Sequence, residues 1–135
     1  MRTWTKFQLA ALPAGAQVIS AELRLFFFVH WGSQDYAIHR SSTDTWSEAS
    51  ITWNNQPTAD VVPLFTLLAF EVDNVWKAWD VTAAVKQELA GDKVLSLVIR
   101  GVTTSPGSDQ ENYALSKDQA NLANRPLLHV TYSLP

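Results

Sequence analysis

From Val18 to His30 the chain alternates with a period of two, and this run constrains the fold more than any other. Leu23, Leu25, Phe27 and Val29 share one face; Glu22, Arg24, Phe26, Phe28 and His30 share the other. The run is rich in aromatic and β-branched residues, which suit a pleated, half-buried surface. The second face begins charged and ends aromatic. A strand of that kind belongs in a two-sheet sandwich, with one face on the core and an outer face that has work of its own.

The rest of the chain reads as shorter strands. Arg2 to Leu9 alternates, with Trp4, Lys6 and Gln8 on one face and Thr5, Phe7 and Leu9 on the other; a turn at Leu12-Pro13-Ala14-Gly15-Ala16 follows. Tyr36–Arg40, Trp76–Val81, Val94–Arg100, Asn112–Lys117 and Leu127–Tyr132 are further strands, and the apolar stretch Val61–Val72 reads as two strands bent near Pro63. Thr103–Asn112 reads as a polar loop. Asp80 or Thr82 is expected to cap a short helix, Ala83–Leu89, ended by Gly91. About eight strands, one short helix and no alternation of strand and helix predict an all-β, jelly-roll-like β-sandwich in one domain, residues 1–135.

Between these strands, Thr43–Pro57 carries Trp46 and Trp53 among carboxylates and amides without helical or strand periodicity. An indole has a large apolar area to bury. The expectation is a structured loop that folds back over an end of the core.

Composition removes several functions. The net charge of -3 gives no reason to expect a nucleic-acid partner. The absence of cysteine excludes disulfides, thiol catalysis and Cys-ligated zinc. The longest apolar run, Leu25–Val29, is far short of the roughly 20 residues a spanning helix needs, so no membrane contact is expected. Met1–Lys6 shows no signal-peptide core, which leaves a cytoplasmic chain or a signal lying upstream. His30, His39 and His129 lack metal-like spacing, and no cofactor is expected. Asp109, Glu111 and Asp118 are the oxygens a structural Ca2+ would use, without the ordered spacing of a dedicated calcium loop. No nucleophile elbow, phosphate loop or zinc-helix motif occurs, and Asp44 with Glu48 reads more simply as turn capping than as an acid–base pair, so no catalytic residue is assigned.

Three blocks carry a family resemblance. The first is Lys6-Phe7-Gln8-Leu9 through Leu12-Pro13-Ala14-Gly15-Ala16, then Ile19-Ser20-Ala21-Glu22-Leu23-Arg24-Leu25. The second is Trp46-Ser47-Glu48 with Ile51-Thr52-Trp53-Asn54-Asn55-Gln56-Pro57. The third is Trp79-Asp80-Val81-Thr82, then Ser116-Lys117-Asp118 and Arg125-Pro126-Leu127-Leu128-His129-Val130-Thr131-Tyr132. In order and spacing they resemble the DNRLRE family, also described as carbohydrate-binding module family 96: β-sandwich modules of secreted polysaccharide lyases and large surface proteins. The resemblance implies a non-catalytic polysaccharide-binding module, secreted or at the cell surface, that holds an attached lyase or surface protein on its substrate. The family pattern has a further strand before the Lys-Phe block, where this chain has Met1; its absence predicts an exposed sheet edge that invites a second copy or a donated strand. The family's Ser-Arg-Glu is Ser-Lys-Asp here, which replaces a flat bidentate donor with a point charge.

The site expected on this basis is cationic. Lys6 and Arg24 lie on strands that a short turn should make neighbours, and Arg40, Arg100 and Lys117 lie on later strands that can extend the row. Such a row suits an acidic polysaccharide of the alginate or uronate type, with Trp4 and Tyr113 supplying ring contacts. Trp31 and Tyr36 are further stacking candidates, whereas Trp46, Trp53 and Trp79 read as packing residues. The alternative is a structural sandwich that assembles surface proteins without glycan affinity, completed by a partner's strand.

Overall fold

The computed structural model describes residues 2–31, 34–102 and 111–135. Among them are eight strands, β1 (Arg2–Gln8), β2 (Gln17–Trp31), β3 (Asp35–Ser41), β4 (Phe65–Leu67), β5 (Val75–Asp80), β6 (Val94–Val102), β7 (Glu111–Ala114) and β8 (Leu127–Ser133), with one α-helix, α1 (Thr82–Ala90), and two short 3-10 turns. They form two antiparallel sheets. The first has the order β1-β6-β3-β4; in the second β2 pairs with β5 on one side and with both β7 and β8 on the other. The 15 residues of β2 make this possible: Gln17–Arg24 pairs with β8 and Phe27–Trp31 with β7. The all-β sandwich with one short helix is as the sequence predicts.

The core follows from the alternation. Leu23, Leu25 and Phe27 of β2 point inward with Trp79 of β5, and meet Tyr36 and Ile38 of β3 and Leu95, Leu97 and Ile99 of β6; all are at most 2% exposed. Trp79 Nε1–H crosses between the sheets and donates to the Tyr36 carbonyl at 3.1 Å. Asn112 Nδ2–H donates to the Tyr36 hydroxyl at 2.6 Å, so the buried phenol has a partner. Tyr36, which the sequence offers as a stacking ring for sugar, is therefore a core residue with no exposed surface.

Two local expectations need correction. The turn after β1 does not make a hairpin. Leu9 is buried and its N–H donates to the Lys93 carbonyl at 2.8 Å, so the chain docks at the end of the sandwich and crosses to the other sheet. Val61–Val72 supplies only the three-residue β4; Val61 and Val62 are exposed, and Pro63 brings no N–H to a ladder. Of the two caps expected for the helix, Asp80 serves: its Oδ1 accepts from the N–H of Thr82, the first helical residue, while Thr82 Oγ1 accepts from Ala21 N–H. The loop expected at Thr103–Asn112 lies mostly outside the described residues, and its end, Glu111 and Asn112, belongs to β7.

Candidate functional site

The outer faces of the two sheets have different fates. On the first sheet, Trp4 and Lys6 of β1, Ser96 and Val98 of β6, and His39 and Ser41 of β3 share the outward parity. Residues 42–64 lie across them. Lys6 Nζ donates to the Asp44 carbonyl at 2.6 Å and also to the Trp46 carbonyl. Trp46 Nε1–H donates to Ser96 Oγ at 3.1 Å, and its ring meets Trp4 at 5.7 Å. Ser41 Oγ–H donates to the Thr58 carbonyl and His39 Nδ1–H to the Asp60 carbonyl, each at 2.8 Å. Ser41, Ser96 and Val98 are fully buried as a result. The tryptophan-bearing stretch thus covers a sheet face and not an end of the core. It also leaves one indole out: Trp53 is 70% exposed, against the expectation that both would be buried.

The five expected cations do not form one row. Lys6 is taken up by the covering segment, with Trp4 beside it. Arg24 lies on the outer face of the opposite sheet, where its guanidinium donates twice to Glu22 Oε2, at 3.0 and 2.7 Å. Arg40 reaches from β3 to Glu88 of α1, with Asp60 at 3.3 Å. Burial works against its charge, but the hydrogen bonds and charges of Glu88 and Asp60 outweigh that and raise Arg40 above the ordinary arginine value. Lys117 follows β7 and pairs with Asp118 at 2.7 Å and Glu48 at 3.1 Å. Arg100 stands on the outer face of the first sheet, directly opposite Arg2.

Asp44 and Glu48 share no described hydrogen bond. Glu48 is spent on Lys117, and Asp44 gives its backbone carbonyl to Lys6. Among the described residues no group of acidic or histidine side chains is arranged to hold a metal ion. Asp118 pairs with Lys117, Asp109 lies outside the described residues, and the side chains of His30, Trp31 and Glu111 are likewise outside them.

Among the described residues nothing lies across the outer face of the second sheet, and that face is aromatic. Register places Phe26 of β2 opposite Trp76 of β5, their rings 5.5 Å apart edge to face. A bulge between Phe27 and Val29 lets Phe28 stay beside Tyr113 of β7, at 6.1 Å. Trp76, Phe28 and Tyr113 are 36%, 38% and 47% exposed, so each ring keeps a wet face. Next along the same face, Arg24 lies opposite Ala78 on β5 and Leu127 on β8, and Glu22 lies opposite His129. Tyr113 is the one ring of this row expected from the sequence. Phe26 and Phe28 are legible there as outward residues of the β2 alternation; Trp76 is found only through its register with Phe26.

A row of exposed rings across a sheet can lie against the apolar C–H faces of pyranose rings, because aromatic side chains offer large, rigid area at little conformational cost. The carbohydrate-binding module family 96 model matches residues 1–132. The chain belongs to that family. No curated protein matches it. As a family 96 member it is a carbohydrate-binding module and not an enzyme. The stretch from Trp46 to Pro57 therefore serves largely to cover the first sheet, and the exposed rings of the second sheet come from elsewhere in the chain.

Proposed function

We propose that this family 96 module binds an acidic polysaccharide of the alginate or uronate type along the outer face of the second sheet, and so holds an attached secreted lyase or surface protein on its substrate. The observation that carries the reading is the row Trp76–Phe26–Phe28–Tyr113, exposed on a sheet face while residues 42–64 lie across much of the opposite sheet. Arg24 at the edge of the row supplies the charge: its guanidinium is already oriented by Glu22 and is 39% exposed. A shallow face of this kind gives weak binding per module, which gains from repetition on a long polymer. The test is calorimetry and affinity electrophoresis against alginate, polygalacturonate and neutral glucans at two salt concentrations. Salt-sensitive binding to one acidic polymer is expected. Binding to neutral glucans alone would remove the acidic part of the reading, and no binding by folded protein would remove all of it.

A second reading, a structural module completed by a partner's strand, has one observation in its favour: among the described residues β1 pairs with β6 alone, leaving its other edge open. Self-association that persists when the aromatic row is mutated would favour it.

A further inference from the structure

We propose that Arg2, Arg100 and Trp53 form a second site, on the outer face of the first sheet, that takes the carboxylate or sulfate group of an acidic sugar. Arg2 and Arg100 are direct cross-strand partners on β1 and β6, so two cationic side chains stand side by side on one face. Like charges in that position oppose folding. Among the described residues neither has an acidic partner within ion-pair distance. Arg100 Nε is shut away from water, yet no described residue gives it an acceptor. A buried donor on a charged group left without an acceptor is costly. Burial, then the charge of Arg2, hold Arg100 below the ordinary arginine value. An anion laid against the accessible ends of the two guanidinium groups would offset their mutual repulsion, and paired guanidinium donors match the oxygens of carboxylate or sulfate.

The third member supplies the sugar contact. Trp53 lies at the rim, largely in solvent, with the Arg2 guanidinium stacked 4.5 Å from its ring centre. The turn that carries it is fastened by its own amides. Asn55 Oδ1 accepts from Thr52 N–H at 2.5 Å, Asn55 Nδ2–H donates to the Ser50 carbonyl at 2.8 Å, and Gln56 Nε2–H donates to the Trp53 carbonyl at 2.7 Å. A large indole held in solvent under the Arg2 guanidinium is poor packing and a good place to lay a charged pyranose ring. The site lies on the opposite side of the sandwich from the aromatic row, so one module would engage polymer on both faces and link chains.

This inference rests on the acidic-polysaccharide reading for its natural ligand, and the experiment separates the two. In NMR titrations of labelled protein, the Arg100 Nε–H, Trp53 Nε1–H and Trp76 Nε1–H signals are followed with an alginate trisaccharide, a sulfated galactan oligosaccharide and cellotriose. The expected result is saturable, salt-sensitive movement of the Arg100 and Trp53 signals with an acidic sugar and none with cellotriose. The stronger of the two acidic sugars identifies the group recognised. Arg100→Gln should weaken that binding at least about 10-fold, the loss of one charge-assisted contact, and should not lower thermal stability, since it removes a like-charge pair. Movement of Trp76 alone with acidic sugars would overturn the second site and leave the proposed function standing. Movement of Trp76 with cellotriose alone would overturn the second site and the acidic preference together. No movement with any sugar would overturn both proposals.

Discussion

Lys6 Nζ lies 4.4 Å from the centre of the Trp46 ring while it donates to the carbonyls of Asp44 and Trp46. One ammonium group thus fastens the start of the covering segment to β1 through its donors and to an indole through its charge. That makes Lys6 a structural residue, although its outward position on an edge strand makes it the first candidate for a ligand contact. Replacing it with Met keeps the aliphatic stem and removes the charge-assisted hydrogen bonds. We expect a loss of about 2 kcal/mol in urea unfolding, with faster proteolytic cleavage within residues 42–64. An unchanged midpoint and unchanged cleavage would mean that the segment is held by its indoles and serines alone.

The Arg40–Glu88 pair joins β3 to α1 with side chains only 13% and 8% exposed. Breaking a buried pair from one side is more damaging than its presence is stabilising, because a charge is left behind without its partner. Glu88→Ala should therefore cost on the order of 3 kcal/mol, tempered by Asp60, which still contacts Arg40. The double variant Glu88→Ala with Arg40→Met should recover part of that loss. A double variant no more stable than Glu88→Ala would show that the stranded charge is not the source of the cost.

How far such relationships can be read from the chain depends on their range. The alternation in β2 is legible because it is local: Leu23, Leu25 and Phe27 inside, Phe26 and Phe28 outside. The joint outward parity of Trp4 and Lys6 is legible for the same reason. Sheet partnership is not. A short turn after β1 suggests a hairpin, and only the docking of Leu9 against Lys93 shows that the chain changes sheets there. The pairing of cations is hidden likewise, because Lys117 finds Glu48 and Arg40 finds Glu88 across the fold. Trp76 escapes notice as a site residue since its place depends on the β2–β5 register. Arg100 can be singled out as a cation on a strand, but its neighbour Arg2 emerges only when β1 is laid beside β6.

Asp80 gives the module a predictable acid limb. Its carboxylate accepts from Thr82 N–H at 2.9 Å, and hydrogen bonding by Thr82 lowers its pKa below the ordinary value of 3.8. A group depressed on folding contributes stability that is fully present above its unfolded pKa and is lost as pH falls through the folded one. Asp80 should therefore contribute fully at about pH 5 to 7 and progressively less below about pH 4. Asp80→Asn should lower stability at about pH 7 slightly and flatten the decline between about pH 4 and about pH 2. Parallel pH profiles for the two proteins would show that other carboxylates set the acid limb.

The aromatic row makes the sharpest demand on function, because its members differ in what else they do. Tyr113 and Trp76 stand at its two ends on β7 and β5, each with a third or more of its surface in water, whereas Phe26 lies between them half-buried. Truncating an end ring removes stacking area without opening the core. Trp76→Ala and Tyr113→Ala should each weaken polysaccharide binding about 2- to 12-fold, the equivalent of one aromatic contact of about 0.5 to 1.5 kcal/mol, with thermal stability nearly unchanged. If one chain spans the row, the two losses should combine on a long polymer, while a single sugar unit too short to reach both ends should feel only one of them. Calorimetry across oligosaccharides of increasing length reads this directly. Affinity that does not rise with length, or that survives the double variant, would take the glycan off this face.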